Sequence, residues 1–200
     1  MENLNKALFL WINASAYSSP KEITIAIGIA EYLIFIIPIG LLVLWLLGRK
    51  CRLNAVHCLL GLLLALAINK MISLFWIEAR PFILGVGTHW LPHKSTPAFP
   101  SNHGTLMFSS AFLLLNTAER FSRILGWLSI LCALPVAWAR IYLGVHWPID
   151  MLGALTVAVV VALIMRTTIT GEISHITCVI LERIYRKILA GPITRGWLRP

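Results

Sequence analysis

The sequence predicts an all-α membrane protein, built as a bundle of five or six transmembrane helices with amphipathic terminal helices. Of the 200 residues, 58% are hydrophobic and 12% are charged. Soluble domains are about half apolar and about a quarter charged, so this balance indicates a lipid solvent. No linker or low-complexity stretch divides the chain, and we predict a single membrane-embedded domain over residues 1–200.

Five apolar segments account for the predicted spans. A transmembrane helix needs ~20 mostly apolar residues. The candidate segments, in chain order, are residues 23–47, 55–77, 104–118, 124–143 and 149–165. The third and fifth are short, but each adjoins polar residues that could lie at the membrane interface.

Both ends of the chain have the pattern of an amphipathic helix. Residues 1–17 carry Leu4, Leu8 and Ile12 at helical spacing, which predicts a short helix lying on the membrane. Residues 173–190 carry an isoleucine stripe with charged side chains opposite it. The stripe is Ile176, Ile180, Ile184 and Ile188, and the charged residues are Glu182, Arg183, Arg186 and Lys187.

The distribution of lysine and arginine predicts the orientation in the membrane. With the loop after the first span in the cytoplasm, that side holds eleven of the 17 basic residues, the opposite side holds five, and Lys70 lies within a span. The N-terminus is then outside and the C-terminus inside. The net charge of +9 is placed in loops that meet lipid headgroups, so we expect membrane lipids as neighbours and no nucleic-acid partner.

The densest set of candidate catalytic residues lies within residues 140–150. Pro148 suits the first turn of a helix, which places His146 at the helix entrance and Asp150, the only aspartate in the chain, in the first turn. A carboxylate bonded to one imidazole nitrogen leaves the other nitrogen as a lone-pair nucleophile. The alternative is a first-turn aspartate that only complements the helix dipole.

Two further motifs fall on the same predicted outer face. Ser101 is a good N-cap, and the free N–H groups behind it form an anion site beside His103, which could protonate a leaving oxygen. A plain helix cap is the alternative. Arg80 has a planar fork that matches phosphate, although an interfacial arginine can also be a membrane anchor. With Arg140, these residues suit phosphoryl transfer through a phosphohistidine.

The sequence offers no carboxylate cluster for magnesium and no three-ligand set for zinc. We therefore predict no metal and no cofactor, and we expect the arginines to supply the positive charge. The four cysteines show no paired spacing and are interpreted as small buried hydrophobic residues.

The motifs Arg80-Pro81, Pro100-Ser101-x-His103 and Arg140-x5-His146-x3-Asp150 resemble the three signature motifs of the type 2 phosphatidic acid phosphatase superfamily. The stretches 80–82, 99–104 and 141–153 are similar to the bacitracin-resistance type of bacterial undecaprenyl-diphosphate phosphatase. The resemblance implies a phosphatase domain with its catalytic motifs within residues 78–150. It also implies an isoprenoid diphosphate lipid as substrate, and a bacterial cytoplasmic membrane location with the active site facing outward.

The resemblance implies roles for individual residues. His146 corresponds to the nucleophile, Asp150 to its orienting partner and His103 to the general acid. The implied phosphate contacts are Arg80, Ser101, Asn102, Gly104 and Arg140. The chain departs from the superfamily pattern twice: Ser73 stands where a lysine is usual, and Asn102 stands where a glycine is usual. The phosphate contact that the usual lysine would make is therefore open at Ser73, and Asn102 could alter the substrate specificity.

Two other functions stay open at this stage. Another lipid phosphate could be the substrate, namely phosphatidylglycerol phosphate, diacylglycerol pyrophosphate or lipid A as a phosphoryl acceptor. A transporter or binding protein on the same scaffold is the alternative outside catalysis, although a retained nucleophile, partner and acid speak against it.

Three acidic or basic residues outside the motifs are candidate site residues: Glu31, Lys70 and Glu78. Glu31 and Lys70 have similar predicted depth, ~10–12 Å inside the outer interface, where an unpaired charge is costly. Either they pair, or they face the pocket together, or Lys70 snorkels to the interface. The remaining histidines have no motif context and are expected at the surface or an interface; they are His57, His89, His93 and His175.

Overall fold

Residues 2–199, as described by a computed structural model, form nine α-helices and no strand. The helices are α1 (Glu2–Ile12), α2 (Pro20–Tyr32), α3 (Ile36–Leu47), α4 (Arg49–Phe75), α5 (Asn102–Leu115), α6 (Arg120–Tyr142), α7 (Pro148–Ile164), α8 (Thr168–Ile188) and α9 (Ala190–Thr194). A short 3-10 turn, Leu33–Phe35, joins α2 to α3. The prediction of an all-α protein is confirmed.

Three helical segments are long and apolar enough to cross a membrane. They are Pro20–Leu47 (α2, the 3-10 turn and α3), α4 and α6. α7 and α8 reach that standard only together, and they meet at an angle of 83°. The chain is therefore a multi-pass membrane protein. Within residues 2–199, three or four segments meet the criterion of length and composition. The predicted spans that do not meet it by themselves are α5, with 14 residues, and α7, with 17.

The short helix α5 lies at the centre of the bundle, packed against α4, α6 and α7. Its polar residues Thr105, Ser109 and Ser110 are fully buried, which is tolerable because protein rather than lipid surrounds them. At Gly104, an added Cβ would lie 3.0 Å from Ala154, so the N-terminal end of α5 packs closely against α7. This contact fixes the position of the serine–histidine motif relative to the motif at residues 140–150.

The loop between α4 and α5 folds over one end of the bundle and joins the helix ends there. Trp147 Nε1 donates to the carbonyl oxygen of Ala79 at 2.8 Å. The backbone N–H of Ser101 donates to the carbonyl oxygen of Asp150 at 3.2 Å. These bonds bring the end of α4, the starts of α5 and α7, and the end of α6 to one place.

Helix α1 packs on the same end of the bundle through a residue outside the predicted stripe. Phe9 is fully buried, with its ring centroid 4.9 Å from that of Trp147. Asn13 donates through Nδ2 to the carbonyl oxygen of Tyr142 at 2.9 Å. Leu4 and Leu8 are exposed, so they are available to lipid. The predicted helix over residues 1–17 ends at Ile12.

Helix α8 exposes the four isoleucines of its predicted stripe. Its packed side carries Cys178, Tyr185 and Glu182. The placement of Glu182 on an open charged face was wrong, because the carboxylate is buried against Arg52 of α4 at 3.4 Å. The aromatic rings of Trp45 and Tyr185 cover the same guanidinium.

Candidate active site

A cavity of about 440 Å³ lies where the loop of residues 76–101 meets the ends of α4, α5 and α6. This volume is within the range of about 300–1,000 Å³ typical of small-molecule sites. Its basic and imidazole side chains are Lys70, Arg80, His93, His103, Arg140 and His146. No carboxylate of the described chain lines the cavity. The charge of the wall therefore suits an anionic ligand.

His146 and Asp150 form the hydrogen bond that their spacing suggests. Nδ1 of His146 lies 2.9 Å from Oδ2 of Asp150, and both side chains are buried. Pro148 occupies the first turn of α7, and the backbone N–H of Trp147 donates to the same carboxylate oxygen at 2.9 Å. The start of α7 thus fixes the carboxylate, and the carboxylate fixes the ring.

Arg80 determines which nitrogen of His146 carries the proton. Its Nη1 lies 3.1 Å from His146 Nε2 and donates to the carbonyl oxygen of Val145 at 3.0 Å. A guanidinium only donates, so Nε2 must present its lone pair and Nδ1 must carry the hydrogen that Asp150 accepts. The Arg80 Nε–H donates to the carbonyl oxygen of Thr96 at 2.9 Å, which holds the fork against the loop.

The same surroundings keep His146 neutral. Burial lowers the pKa of His146 well below its usual value, and the positive charges of Arg80 and Arg140 lower it further. At neutral pH the imidazole is therefore in the form whose Nε2 carries an electron pair, and Arg80 Nη1 donates to that electron pair. Nε2 can act as a nucleophile toward the cavity when this hydrogen bond is given up.

Arg140 is the least satisfied charged group in the wall. Its side chain is 3% exposed, yet Nε and Nη2 have no hydrogen-bond partner within residues 2–199. Buried N–H groups of a charged side chain are costly unless they are paired. A bound anion that accepts from this fork would remove that cost, and the bidentate geometry fits phosphate.

The N-terminal end of α5 supplies the second side of the cavity. Ser101 Oγ accepts from the backbone N–H of Gly104 at 3.4 Å, as expected of an N-cap. Asn69 of α4, which the sequence reasoning missed, donates to Asn102 Oδ1 and to Thr105 Oγ1, each at 2.9 Å. An asparagine beside Lys70 in an otherwise apolar span is the signal that could have identified it. This network ties the first turn of α5 to α4.

His103 lies in the first turn of α5 and faces the cavity half-buried. Burial lowers the pKa of His103 to about 4, and the positive charges of Arg140 and Arg80 contribute in the same direction. In the empty cavity the ring is therefore neutral. A phosphate group bound among these residues would offset the two arginines and favour the protonated ring.

The three candidate residues outside the motifs, Glu31, Lys70 and Glu78, lie in different places. Lys70 lines the cavity, whereas Glu31 is exposed on α2 and does not. Among the described residues no ion pair within 4.0 Å joins Glu31 to Lys70, and Glu31 does not line the cavity with it, so the first two of the three alternatives are not found. Glu78 accepts from Trp76 Nε1 at 3.1 Å, outside the cavity wall.

The sequence gives His93 no motif context and places it at the surface or an interface, whereas the structure brings its ring into the cavity wall. The ring lines the cavity, with its centroid 6.2 Å from the centroid of His146. The loop of residues 76–101 brings it there, and no local pattern marks it. His89 and His175 are exposed, as expected, and His57 is half-buried 2.9 Å from Ser174 Oγ.

The described side chains contain no group of three or more histidine, cysteine, aspartate or glutamate residues arranged to hold a metal ion. The chemistry of the wall is that of arginine, histidine and amide donors. These groups fit a phosphate that carries no metal of its own.

Comparison with known proteins identifies the family. The model of the PAP2 superfamily matches residues 54–173, which include every residue of the three motifs. The chain belongs to the PAP2 superfamily. It is a membrane-embedded lipid phosphatase, as the motifs predicted, and the family match contains every residue that lines the cavity.

Individual members of the PAP2 superfamily are similar over most of this chain. The Escherichia coli (strain K12) protein YbjG is 37% identical over 205 residues, covering 100% of this chain and 99% of YbjG. Undecaprenyl-diphosphatase BcrC of Bacillus subtilis (strain 168) is 31% identical over 161 residues, covering 79% and 80% of the two chains. The crystal structure of Aquifex aeolicus LpxE has the same fold, with a TM-score of 0.64 and 23% identity over 81% of this chain and 94% of that one.

The protonation of His103 generates a prediction for this PAP2 cavity. Vanadate bound between Arg80 and Arg140 should raise the pKa of His103 from about 4, because the added negative charge favours the imidazolium. Histidine-selective NMR titration with and without vanadate measures the shift, and His103→Gln assigns the signal. The signal of His175, on exposed α8, should not respond to vanadate. A His103 signal that titrates identically in both samples would contradict the placement of the anion.

Proposed function

We propose that this protein hydrolyses undecaprenyl diphosphate to undecaprenyl phosphate and inorganic phosphate, through a phosphohistidine at His146. The observation that carries the proposal is the hydrogen bond of His146 Nδ1 to Asp150, which leaves the electron pair of Nε2 at a cavity where two nitrogens of Arg140 have no partner among residues 2–199. The choice of lipid follows BcrC, which is named an undecaprenyl-diphosphatase and covers 79% of this chain at 31% identity.

In the first step, His146 Nε2 attacks the terminal phosphorus and a P–N bond forms. The bond from phosphorus to the bridging oxygen breaks, and that oxygen leaves with undecaprenyl phosphate. His103 donates a proton to the leaving oxygen, which is its proposed role as general acid. Asp150 stabilises the positive charge that develops on the His146 ring.

The transferred phosphoryl group needs donors for its oxygens while it moves. Arg140 supplies a guanidinium fork, Arg80 supplies positive charge beside His146 Nε2, and the backbone N–H groups of Asn102 and His103 at the start of α5 supply further donors. The N–H of Gly104 donates to Ser101 Oγ, so it is not among them. In the second step water attacks phosphorus, the P–N bond breaks, and its electron pair returns to Nε2. Inorganic phosphate then leaves.

The inner phosphate of the diphosphate also carries charge, and Lys70 is the basic residue of the cavity that the transferred phosphate does not use. Lys70 lies on the same face of α4 as Leu66 and Ser73, and all three line the cavity. We assign the inner phosphate to Lys70 and Ser73, with the first isoprene unit over Leu66. Ser73 stands where the superfamily usually has lysine, and Lys70 lies one turn away on the same face.

The proposed location is the cytoplasmic membrane of a bacterium, with the cavity facing outward. The excess of basic residues supports it, because eleven of 17 lie on the side of the loop between α3 and α4. In that orientation the enzyme would return the carrier lipid to the monophosphate form that cell-wall synthesis uses.

Activity should not require a metal, because Arg80 and Arg140 neutralise the phosphate. Purified protein should release phosphate from undecaprenyl diphosphate in the presence of a chelator. His146→Ala should lower turnover at least about a thousandfold, since the covalent route is lost. His175→Ala, outside the cavity, is the matched control and should retain activity.

Two outcomes of that assay would contradict the proposal. One is activity that the chelator abolishes and magnesium restores. The other is faster release from phosphatidylglycerol phosphate or diacylglycerol pyrophosphate, or phosphoryl transfer onto lipid A, which would move the activity to another lipid.

Lys70→Met should reduce kcat/KM for the diphosphate by about 10- to 100-fold, the cost of one charge-assisted contact of about 1.5–3 kcal/mol. Hydrolysis of a lipid monophosphate should change little, because it has no inner phosphate. Lys21→Met, at the start of α2, is the control. An equal loss for both substrates would show that Lys70 does not contact the inner phosphate.

Since Glu31 and Lys70 are not paired, the effects of Glu31→Gln and Lys70→Met on kcat/KM should be additive in the double variant.

The orientation can be measured separately in intact cells with an impermeant thiol reagent. Ser95→Cys lies in the exposed loop beside Thr96, and Gly171→Cys lies in α8, where no atom would contact the added Cβ within 4 Å. In a background without the four native cysteines, the first should react from outside and the second should not. The reverse labelling would place the cavity in the cytoplasm and exclude a role in external lipid recycling.

A further inference from the structure

His93 is a third imidazole in the cavity, and the proposed first step does not use it. Its ring centroid lies 6.2 Å from that of His146, with the two ring planes at 72°. Its positive form would also disfavour the positive form of His103, so the three imidazoles are close enough to interact. His93 comes from the loop of residues 76–101, whereas His103 starts α5 and His146 precedes α7.

The hydrogen bond of His93 determines what its other nitrogen can do. Nδ1 lies 3.1 Å from the carbonyl oxygen of Lys94. A carbonyl oxygen only accepts, so Nδ1 carries the hydrogen and Nε2 of the neutral ring presents a lone pair. A neutral His93 with this bond is therefore a proton acceptor and cannot donate from Nε2.

The second half of the reaction is the step that needs such an acceptor. Water that attacks the phosphohistidine must lose a proton, and two residues could take it: His103, which is neutral once it has protonated the leaving oxygen, and His93. We propose that His93 Nε2 is the general base that removes a proton from the attacking water. The inference rests on the proposed phosphohistidine route and divides the two proton transfers between His103 and His93.

The proton balance of this division is as follows. His103 gives a proton to the leaving oxygen and is neutral afterwards. Water oxygen forms a bond to phosphorus, the P–N bond breaks toward His146 Nε2, and the water proton moves to His93 Nε2. His93 then releases that proton to solvent, and His103 regains one from solvent. The net reaction consumes one water and forms two phosphate products.

The geometry of in-line displacement limits where the base can lie. Water must approach opposite the P–N bond, in the space that the leaving oxygen vacates, which is the space beside His103. His93 lines the same cavity as His103 and interacts with it electrostatically. His93 comes from the loop that covers the helix ends, whereas Leu66 and Lys70 come from α4. The proposal therefore places the attacking water on the loop side and the departing lipid along α4.

Burial and the positive charges around His93 keep its ring neutral, so that Nε2 can accept a proton. Burial lowers the pKa of His93 to about 4, and Arg80, Arg140 and His89 disfavour its positive form as well. The groups that face it are Arg80 and His89 of its own loop, Arg140 of α6, His103 of α5, and His146. A phosphoryl group on His146 adds negative charge nearby, which makes protonation of His93 easier during the step.

The experiment separates formation of the phosphoenzyme from its breakdown. His93→Gln keeps a polar side chain but cannot take up a proton. Rapid-quench measurements with undecaprenyl diphosphate labelled at the terminal phosphate should show phosphoenzyme forming at nearly the wild-type rate. Breakdown should be slower by about 10²- to 10⁴-fold, the usual contribution of a general base, so labelled phosphoenzyme accumulates.

The pH dependence provides a readout that a structural role would not change. In the wild type, breakdown should slow as the pH falls through the pKa of His93, because protonated Nε2 cannot accept. In His93→Gln that limb should be absent. His89→Gln is the matched control, because His89 lies on the same loop, stacks on Phe82 with ring centroids 4.1 Å apart and does not line the cavity.

Each alternative outcome is decisive. Unchanged breakdown in His93→Gln would assign the base to His103 and overturn the inference. Formation and breakdown slowed by the same factor would make His93 a positioning residue, which also overturns it. A wild-type enzyme that turns over without any phosphoenzyme would instead overturn the phosphohistidine route itself, and that result is distinguishable from both.

Discussion

The hydrogen bond between His146 Nδ1 and Asp150 Oδ2 is the interaction on which the cavity depends. It spans one turn at the start of α7, and Pro148 and the Trp147 N–H hold the carboxylate there. Because Nδ1 is committed to Asp150, Nε2 is left to face Arg80 and the cavity. Loss of the carboxylate would free the ring to rotate and would leave Arg80 facing either nitrogen. The orientation of the reactive atom is therefore set by backbone geometry in one helix turn.

The positive wall of the cavity has an energetic cost that the fold must offset. Arg80 and Arg140 are both buried, and two nitrogens of Arg140 have no hydrogen-bond partner among residues 2–199. Close packing of α5 against α4, α6 and α7 supplies the apolar burial that holds these groups in place. Two buried cations in one wall repel each other, and a phosphate bound between them would offset that repulsion. The same two charges therefore lower the stability of the fold and favour an anionic ligand.

Contacts between residues close in sequence could be predicted from the sequence, and contacts between distant residues could not. His146 and Asp150 are about one helical turn apart in sequence, so their hydrogen bond follows from helix geometry. The helical spans follow from composition, although the length of α5 and the 83° bend after α7 do not. Asn69 and His93 reach the cavity through contacts with distant segments, and no periodicity marks such contacts. The pairing of Glu31 with Lys70 failed for a related reason, since equal depth in two helices says nothing about the side each residue faces.

One wall of the cavity is part of a membrane-spanning helix and the opposite wall is a loop. This difference bears on how lipid and water can both reach the phosphate. The α4 wall carries Leu66 and Lys70 and continues into a helix that crosses the membrane, whereas the loop wall carries His93 and Thr96 and covers the helix ends. A lipid substrate must enter and leave along the first wall, because its chain cannot leave the membrane without a large cost. Water has no such restriction and can reach phosphorus from beneath the loop. In the proposed covalent route through His146 these two events would occur in sequence: the lipid product would depart before water occupies the same position, so the cavity would not have to admit both at once.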